Sequence, residues 1–232
     1  MRIKYGMILA AGLGKRMQPL TLKTPKPLLE IGGRTLLERA INLFINHGVE
    51  EITVNVHHLA NQIEELISDL KSDVKIKISN EKDLLLDTGG GVKKGTKEFN
   101  DNPFFVINPD TLWSNKYSEE VQSLEKEYLT NKRPCLLLVK KELSLDNSFK
   151  GDFNLKNNLI SKDEKNQFIF TGLQIMKNDH LAFFNKNIFS MNEVWTKLMS
   201  ENNLGGLESN QKFYHLNTIE MFEKISSLSS ID

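Results

Sequence analysis

One cysteine in 232 residues, Cys135, leaves no partner for an internal disulfide. It sits in the apolar run CLLLV, where a small core residue of a protein in a reducing compartment is expected. The chain also lacks an excess of either charge, with 30 Lys+Arg against 30 Asp+Glu. Proteins held to nucleic acid by bulk charge carry a basic surplus, so the balance argues against that class. Long hydrophobic runs are missing as well: no stretch approaches the ~18 apolar residues of a membrane helix. The apolar stretch from Met7 to Ala11 is too short for the core of a secretion signal, and Lys15 and Arg16 follow at once. These absences predict a soluble, cytoplasmic protein with neither nucleic acid nor membrane as partner.

What is present is an alternation of two periods. YGMILA, EITVNV, FFVIN and PCLLLVKK read as strands, and VKIKIS alternates as a half-buried or edge strand does. Between them, TLLERAINLFINHG carries apolar residues at 36, 37, 40, 41, 44 and 45 and stops at Gly48. LANQIEELISDLK and SEEVQSLEKEYLTN are amphipathic in the same way. Strand–helix alternation to about residue 140 predicts an α/β fold with a mostly parallel sheet and helices on both faces. From residue 149 to 176 short antiparallel strands are expected, with turns at Lys156–Asn158 and Ser161–Asn166, as a small subregion beside the sheet's C-terminal edge. Helices around Asn192–Glu201 and Ile219–Ser226 follow. The expectation is one domain over 1–232, with a first half at 1–140 and a second at 141–232.

The stretch LAAGLGKRMQPLTLKTPKP, Leu9 to Pro27, holds the chemistry. A glycine turn after a strand lets backbone N–H groups converge on phosphate oxygens. Met17 stands where a dinucleotide fingerprint needs its third glycine, and a P-loop would need Gly-Lys-Ser/Thr after four residues. Both motifs are therefore excluded. Arg16 offers a planar fork for phosphate oxygens. Pro25 and Pro27 stiffen the backbone around Lys26, so that one ammonium is delivered to a fixed place. Cations held at a polyphosphate suit phosphoryl or nucleotidyl transfer. His57 and His58 are adjacent on an extended segment and face opposite ways, so they are not a metal pair.

With LAAG-x-G-x-RM-x-PLT followed by PKP, the sequence resembles the sugar 1-phosphate nucleotidyltransferases. LLLDTGGGV (Leu84–Val92) is similar to a segment of their N-acetylmuramate 1-phosphate uridylyltransferase branch. NPDTLW (Asn108–Trp113), GDF, FTG and YHLNTIE fall in the order that branch has. The resemblance covers about nine tenths of the chain and extends to the mannose 1-phosphate guanylyltransferases. It implies a Rossmann-like, three-layer, GT-A-like nucleotidyltransferase fold whose halves hold nucleotide and sugar phosphate. The implied reaction joins a nucleoside triphosphate, UTP for this branch, to a sugar 1-phosphate, with pyrophosphate leaving. Carried over by position, Ala11, Gly12, Gly14 and Lys15 would cradle the nucleotide and Arg16 the leaving phosphates. Lys26 would neutralise the phosphate under attack, and Gly89 and Gly90 would let backbone approach the nucleoside. Asp152, Thr171 and Gly172 would face the sugar, and Asp110 would bind Mg²⁺.

Two departures fall at this chemistry. The family's second metal aspartate is replaced by His215, with Asn217 two residues on where the family has glycine, and Pro109 replaces the glycine before Asp110. Mg²⁺ prefers oxygen and holds imidazole poorly, so a metal site of Asp110 and His215 leans toward Mn²⁺ or relies on substrate phosphates. Asp152 is the acid that could substitute. Activity with altered metal dependence is the favoured expectation. A guanylyltransferase, a cytidylyltransferase and a catalytically weak nucleotide-binding relative are the alternatives. The length leaves no room for the C-terminal left-handed β-helix of larger relatives.

Overall fold

The computed structural model describes residues 2–228. The first part of the chain forms β1 (Tyr5–Leu9), a hairpin of two short strands, β2 (Glu30–Ile31) and β3 (Arg34–Thr35), then α1 (Leu36–His47), β4 (Glu51–Val56), α2 (Ala60–Asp69) and β5 (Lys75–Asn80). Next come α3 (Asp87–Gly95), β6 (Phe104–Ile107), α4 (Ser118–Asn131) and β7 (Cys135–Lys140). The remainder forms β8 (Asn154–Lys156), β9 (Leu159–Ser161), β10 (Phe168–Met176), α5 (Met191–Ser200), β11 (Gly205–Ser209) and α6 (Ile219–Ser226). None of the described helices is long and apolar enough to cross a membrane.

Helix α1 illustrates how the sequence builds these elements. Thr35 Oγ1 accepts from Glu38 N (3.1 Å), and Glu38 Oε2 accepts in return from Thr35 N (2.8 Å). This reciprocal cap satisfies two donors that a helix start leaves orphaned, and is worth about 1 kcal/mol. Leu37, Ala40, Ile41 and Phe44 fall on one buried stripe, and Gly48 ends the helix at φ 91°, a conformation glycine adopts without Cβ strain.

Among the described residues nine strands form one sheet in the order β5-β4-β1-β6-β10-β7-β11-β9-β8. Strands β5, β4, β1 and β6 are parallel, and β11 is parallel to β7. The period of two sends alternate side chains to opposite faces. Ile8, Phe105, Ile107 and Leu137 pack with α1, α2 and α4, whereas Met7, Phe104, Val106 and Leu136 pack with α3 and α5. The result is three layers, as the α/β pattern implied.

Of the later strands, β8 and β9 form an antiparallel hairpin at the edge of the sheet as expected, but β10 does not lie with them. β10 lies between β6 and β7, antiparallel to both, so the stretches 1–140 and 141–232 interleave in one sheet. Its sequence FIFTGLQIM is buried on both faces at nearly every position, and only a central strand can satisfy that. The β8–β9 hairpin alone takes the edge. At the other edge β5 is guarded by Lys75 and Lys77, both paired to Glu51 (3.1 and 2.7 Å). β11 was not expected, because it opens with Gly205-Gly206. A Cβ at Gly206 would sit 2.8 Å from Ile160 and 2.9 Å from Leu155, so the glycine admits the hairpin.

The run DTGGG is helical, at the start of α3. Gly89 and Gly90 accommodate residues 187–189, both donating N–H to Phe189 O (2.9 and 3.1 Å), while Gly91 adjoins the Asn55 and Glu81 side chains. A Cβ at Gly90 would lie 2.0 Å from Asn187 O. In a helix interior Gly→Ala by itself favours folding by about 1 kcal/mol, so the sign of the change tests this contact. Gly90→Ala is expected to destabilise by about 1–3 kcal/mol in urea denaturation. Gly12→Ala, where nothing lies within 4 Å of the new methyl, is expected to stay within about 0.5 kcal/mol of the parent.

Candidate active site

The C-terminal ends of β1, β4, β5 and β6 open onto a cavity of about 540 Å³, the usual place for ligands in open α/β sheets. The glycine loop follows β1 and forms one wall. Gly14 has φ 61°, and its carbonyl accepts from Met17 N (2.8 Å) and Thr21 Oγ1 (2.9 Å), which folds the loop back on itself. A Cβ at Gly14 would meet Thr21 at 2.9 Å. Met17, standing where the rival motif needs glycine, is buried with Leu29, Leu36, Leu112 and Leu216 and anchors the loop. His58 Nε2 holds Thr21 O at 2.9 Å, while His57 Nδ1 holds Glu81 O at 2.7 Å, so both histidines brace backbone as their opposed directions imply.

Ala11, Gly12, Gly14, Lys15, Arg16, Lys26 and Asp110 all line this one cavity. Lys26 begins a single turn of 3₁₀ helix between its prolines, with Pro27 buried. Its Nζ lies 2.6 Å from Asp110 Oδ2, and the two side chains are only 14% and 24% exposed. Asp110 follows β6 and is fixed by backbone pairing: Leu216 N donates to Asp110 O and Leu112 N to Tyr214 O, both at 2.8 Å. That pairing places His215 Nε2 3.2 Å from Asp110 Oδ2. Burial alone would raise the Asp110 carboxyl. The charges of Lys26 and His215, with their hydrogen bonds, outweigh it and hold the group far below the usual carboxylate range.

His215 is not among the residues that line the cavity, and its Nε2 is turned toward Asp110 Oδ2 at 3.2 Å. The ring stacks against Phe213 (5.8 Å, 9°), and Nδ1 is buried without a hydrogen-bond partner. Among the described residues, no three His, Cys, Asp or Glu side chains group as a metal site. Asp110 Oδ1 and Asn217 Oδ1 are likewise buried and unpartnered, and both residues line the cavity.

Five other expected positions lie off its walls. Gly89 and Gly90 sit beneath residues 187–189, and Asp87 and Thr88 reach the cavity in their place. Thr171 is 1% exposed inside the sheet, its hydroxyl given to Leu137 O (2.9 Å), so it cannot face a sugar. Asp152 accepts from Phe170 N (2.9 Å) at the hairpin, and is not the substitute acid. Gly172, at φ 98° in the irregular stretch of β10, accepts from Asn108 N (2.8 Å) and so sets a cavity residue without touching the cavity itself.

The sequence reading missed Asn55 and Glu81. Asn55 Oδ1 accepts from Ala10 N (2.7 Å), and its Nδ2 donates to Glu81 Oε1 (2.8 Å). Glu81 Oε2 then accepts from Leu86 N (3.1 Å). This buried chain ties the root of the glycine loop to the start of α3. Its only signal was a polar residue inside an apolar strand, Asn55 in EITVNV.

The depressed Asp110 carboxyl has a consequence for acid stability. Its contribution is present above the unfolded value of about 4 and is lost as pH falls further. Between pH about 4.5 and 2.5 the stability of the parent should fall more steeply than that of Asp110→Asn, by at most about 1.4 kcal/mol per pH unit. The gap between their urea midpoints should shrink steadily as the pH is lowered across that range.

The nucleotidyl transferase family pattern matches residues 5–141. The N-acetylmuramate alpha-1-phosphate uridylyltransferase of Caulobacter vibrioides is 28% identical over 221 residues, covering 92% of this chain and 91% of its own. The enzyme of that name from Neisseria meningitidis serogroup B is 40% identical over 107 residues, 46% of each chain. The crystal structure of HddC from Yersinia pseudotuberculosis complexed with GMP-PN shares the fold, with a TM-score of 0.78 at 21% identity over 97% of this chain and 98% of that one. The glycine loop, Lys26 and Asp110 all fall within the stretch that the family pattern spans, and on that match over more than half its length the chain belongs to the nucleotidyl transferase family.

Proposed function

We propose that the protein joins UTP to a sugar 1-phosphate of the N-acetylmuramate class, forming a UDP-sugar and releasing pyrophosphate. A phosphate oxygen of the sugar phosphate attacks the α-phosphorus of UTP. The bond from that phosphorus to the bridging oxygen breaks, and pyrophosphate carries the electron pair away. The observation that carries this reading is the delivery of Lys26 to Asp110 beside the glycine loop. Similarity along nearly the whole chain to a uridylyltransferase of this sugar class supports the choice of substrates.

The residues divide the work by position. Backbone around Ala11, Gly12 and Gly14 lies open to the nucleotide, with Lys15 beside it. Exposed Arg16, at the loop's end, takes the leaving phosphates. Lys26 exchanges its carboxylate partner for the phosphate under attack, where a positioned cation counts most as charge develops. Asp110 would hold Mg²⁺ or Mn²⁺ through its unpartnered Oδ1. Such an ion, when bound, draws charge from phosphate oxygens. His215 keeps the Asp110 carboxylate oriented and ionised.

Pyrophosphate release should be greatest with UTP and N-acetylmuramate 1-phosphate across a panel of triphosphates, sugar 1-phosphates and the two metals. Preference for GTP with mannose 1-phosphate would replace the substrate assignment. Silence across the panel with nucleotide still bound would remove the enzymatic reading. Lys26→Ala should lower kcat by about 10²–10³-fold. UTP affinity, followed by calorimetry, should change by less than about tenfold, because the ammonium acts mainly on charge that develops during transfer.

A further inference from the structure

Asn217 is 9% exposed and borders the same cavity as Asp110. Its Nδ2 donates to Asp146 Oδ2 at 3.0 Å. The other carboxylate oxygen of Asp146 accepts from Ser148 N at 2.9 Å. With both oxygens accepting, Asp146 can face only the NH₂ end of the amide. The amide is therefore locked in one orientation, and its oxygen is turned away from Asp146. That oxygen is buried and has no hydrogen-bond partner, which is costly unless a ligand completes it. Asp110 Oδ1 is orphaned in the same way, and the Leu216 N to Asp110 O bond holds the two segments side by side. The next residue, Thr218, caps α6 by accepting from Met221 N (3.2 Å), which fixes the backbone beyond Asn217.

We propose that Asp110 Oδ1 and Asn217 Oδ1 are the protein's two oxygen ligands for a divalent cation, with Asp146 the positioning residue that keeps the amide oxygen turned inward. A ligand position lost where His215 stands is thereby supplied two residues later by a neutral oxygen. The site then carries one protein charge toward the cation, from Asp110. This rests on the nucleotidyl-transfer reading for the expectation that a cation is bound.

Mn²⁺ titrated into the protein at fixed UTP, with UTP alone in parallel, tests the assignment through the electron paramagnetic resonance signal of the protein-held ion. Asn217→Leu should weaken Mn²⁺ binding by about tenfold, and Asp146→Asn should do so to a similar degree by freeing the amide to turn. The exchanged pair Asp146→Asn with Asn217→Asp should recover binding to the parent level or better. A carboxylate at position 217 offers oxygen in either orientation, and the amide introduced at position 146 can donate to it. Recovery separates positioning from a structural role, and thermal melting identifies any variant that fails to fold. Parent-like binding in Asn217→Leu, an exchanged pair no better than Asp146→Asn alone, or no protein-held Mn²⁺ in the parent would overturn the assignment. Pyrophosphate release is measured separately, so its absence alongside the expected Mn²⁺ pattern would overturn the uridylyl-transfer reading and leave this one standing.

Discussion

The contact between Lys26 and Asp110 organises the catalytic end of this molecule. It joins residues 84 apart in sequence, one from a proline-framed turn and one from the end of a central strand. Both side chains are mostly withdrawn from water, so removing either partner would strand the other charge at a cost well beyond that of an exposed ion pair. Each flanking element answers to this contact. The prolines limit where the ammonium can go, and the pairing of residues 110–112 with 214–216 limits where the carboxylate can go. A phosphate placed in the cavity would compete with Asp110 for Lys26, a cation that the structure already holds at the cavity wall.

Behind that contact stands a packing arrangement that makes the loop rigid without the motif glycine of dinucleotide sites. Met17, Leu112, Leu216 and Ile225 bring the loop's end, the stretch after Asp110 and the last helix into one apolar cluster. Arg16 and His215 each adjoin a residue of this cluster, so site geometry and core packing are fixed together. On the far side the chain Ala10–Asn55–Glu81–Leu86 does the same with hydrogen bonds. A buried, fully paired polar chain gains strength from the low dielectric around it, and ties three strand ends to α3.

The parts of the site that were legible in the sequence are those whose chemistry is local. The glycine turn, the proline-framed Lys26 and the acid after an apolar strand announce themselves within a few residues, and the first helix is fixed by its cap and stripe. Residues defined by distant partners were not legible. Thr171 looks polar and available, yet a strand 34 residues away consumes its hydroxyl. Asp152 is spent on Phe170 N. Asn217 reads as a substitution at a glycine position, and its oxygen is noticed only once Asp146 is seen to hold its nitrogen. The same holds for the fold. The position of β10 depends on which strands it is inserted between, which no window of its own sequence contains, and Gly89 and Gly90 of DTGGG are explained by residues 187–189, about a hundred residues further on.

That last packing sets a limit on how the cavity can change. Residues 187–189 rest directly on Gly89 and Gly90, with Asn187 O over Gly90 and the Phe189 ring and carbonyl over Gly89, and this contact carries half-exposed Ile188 to the cavity wall. That wall is thus seated on glycine main chain, like a shim of fixed thickness. A change in the room on that side has no adjustable part in the backbone. It has to come from the side chains that line the cavity there, Ile188 and Leu85, while the glycines beneath stay as they are.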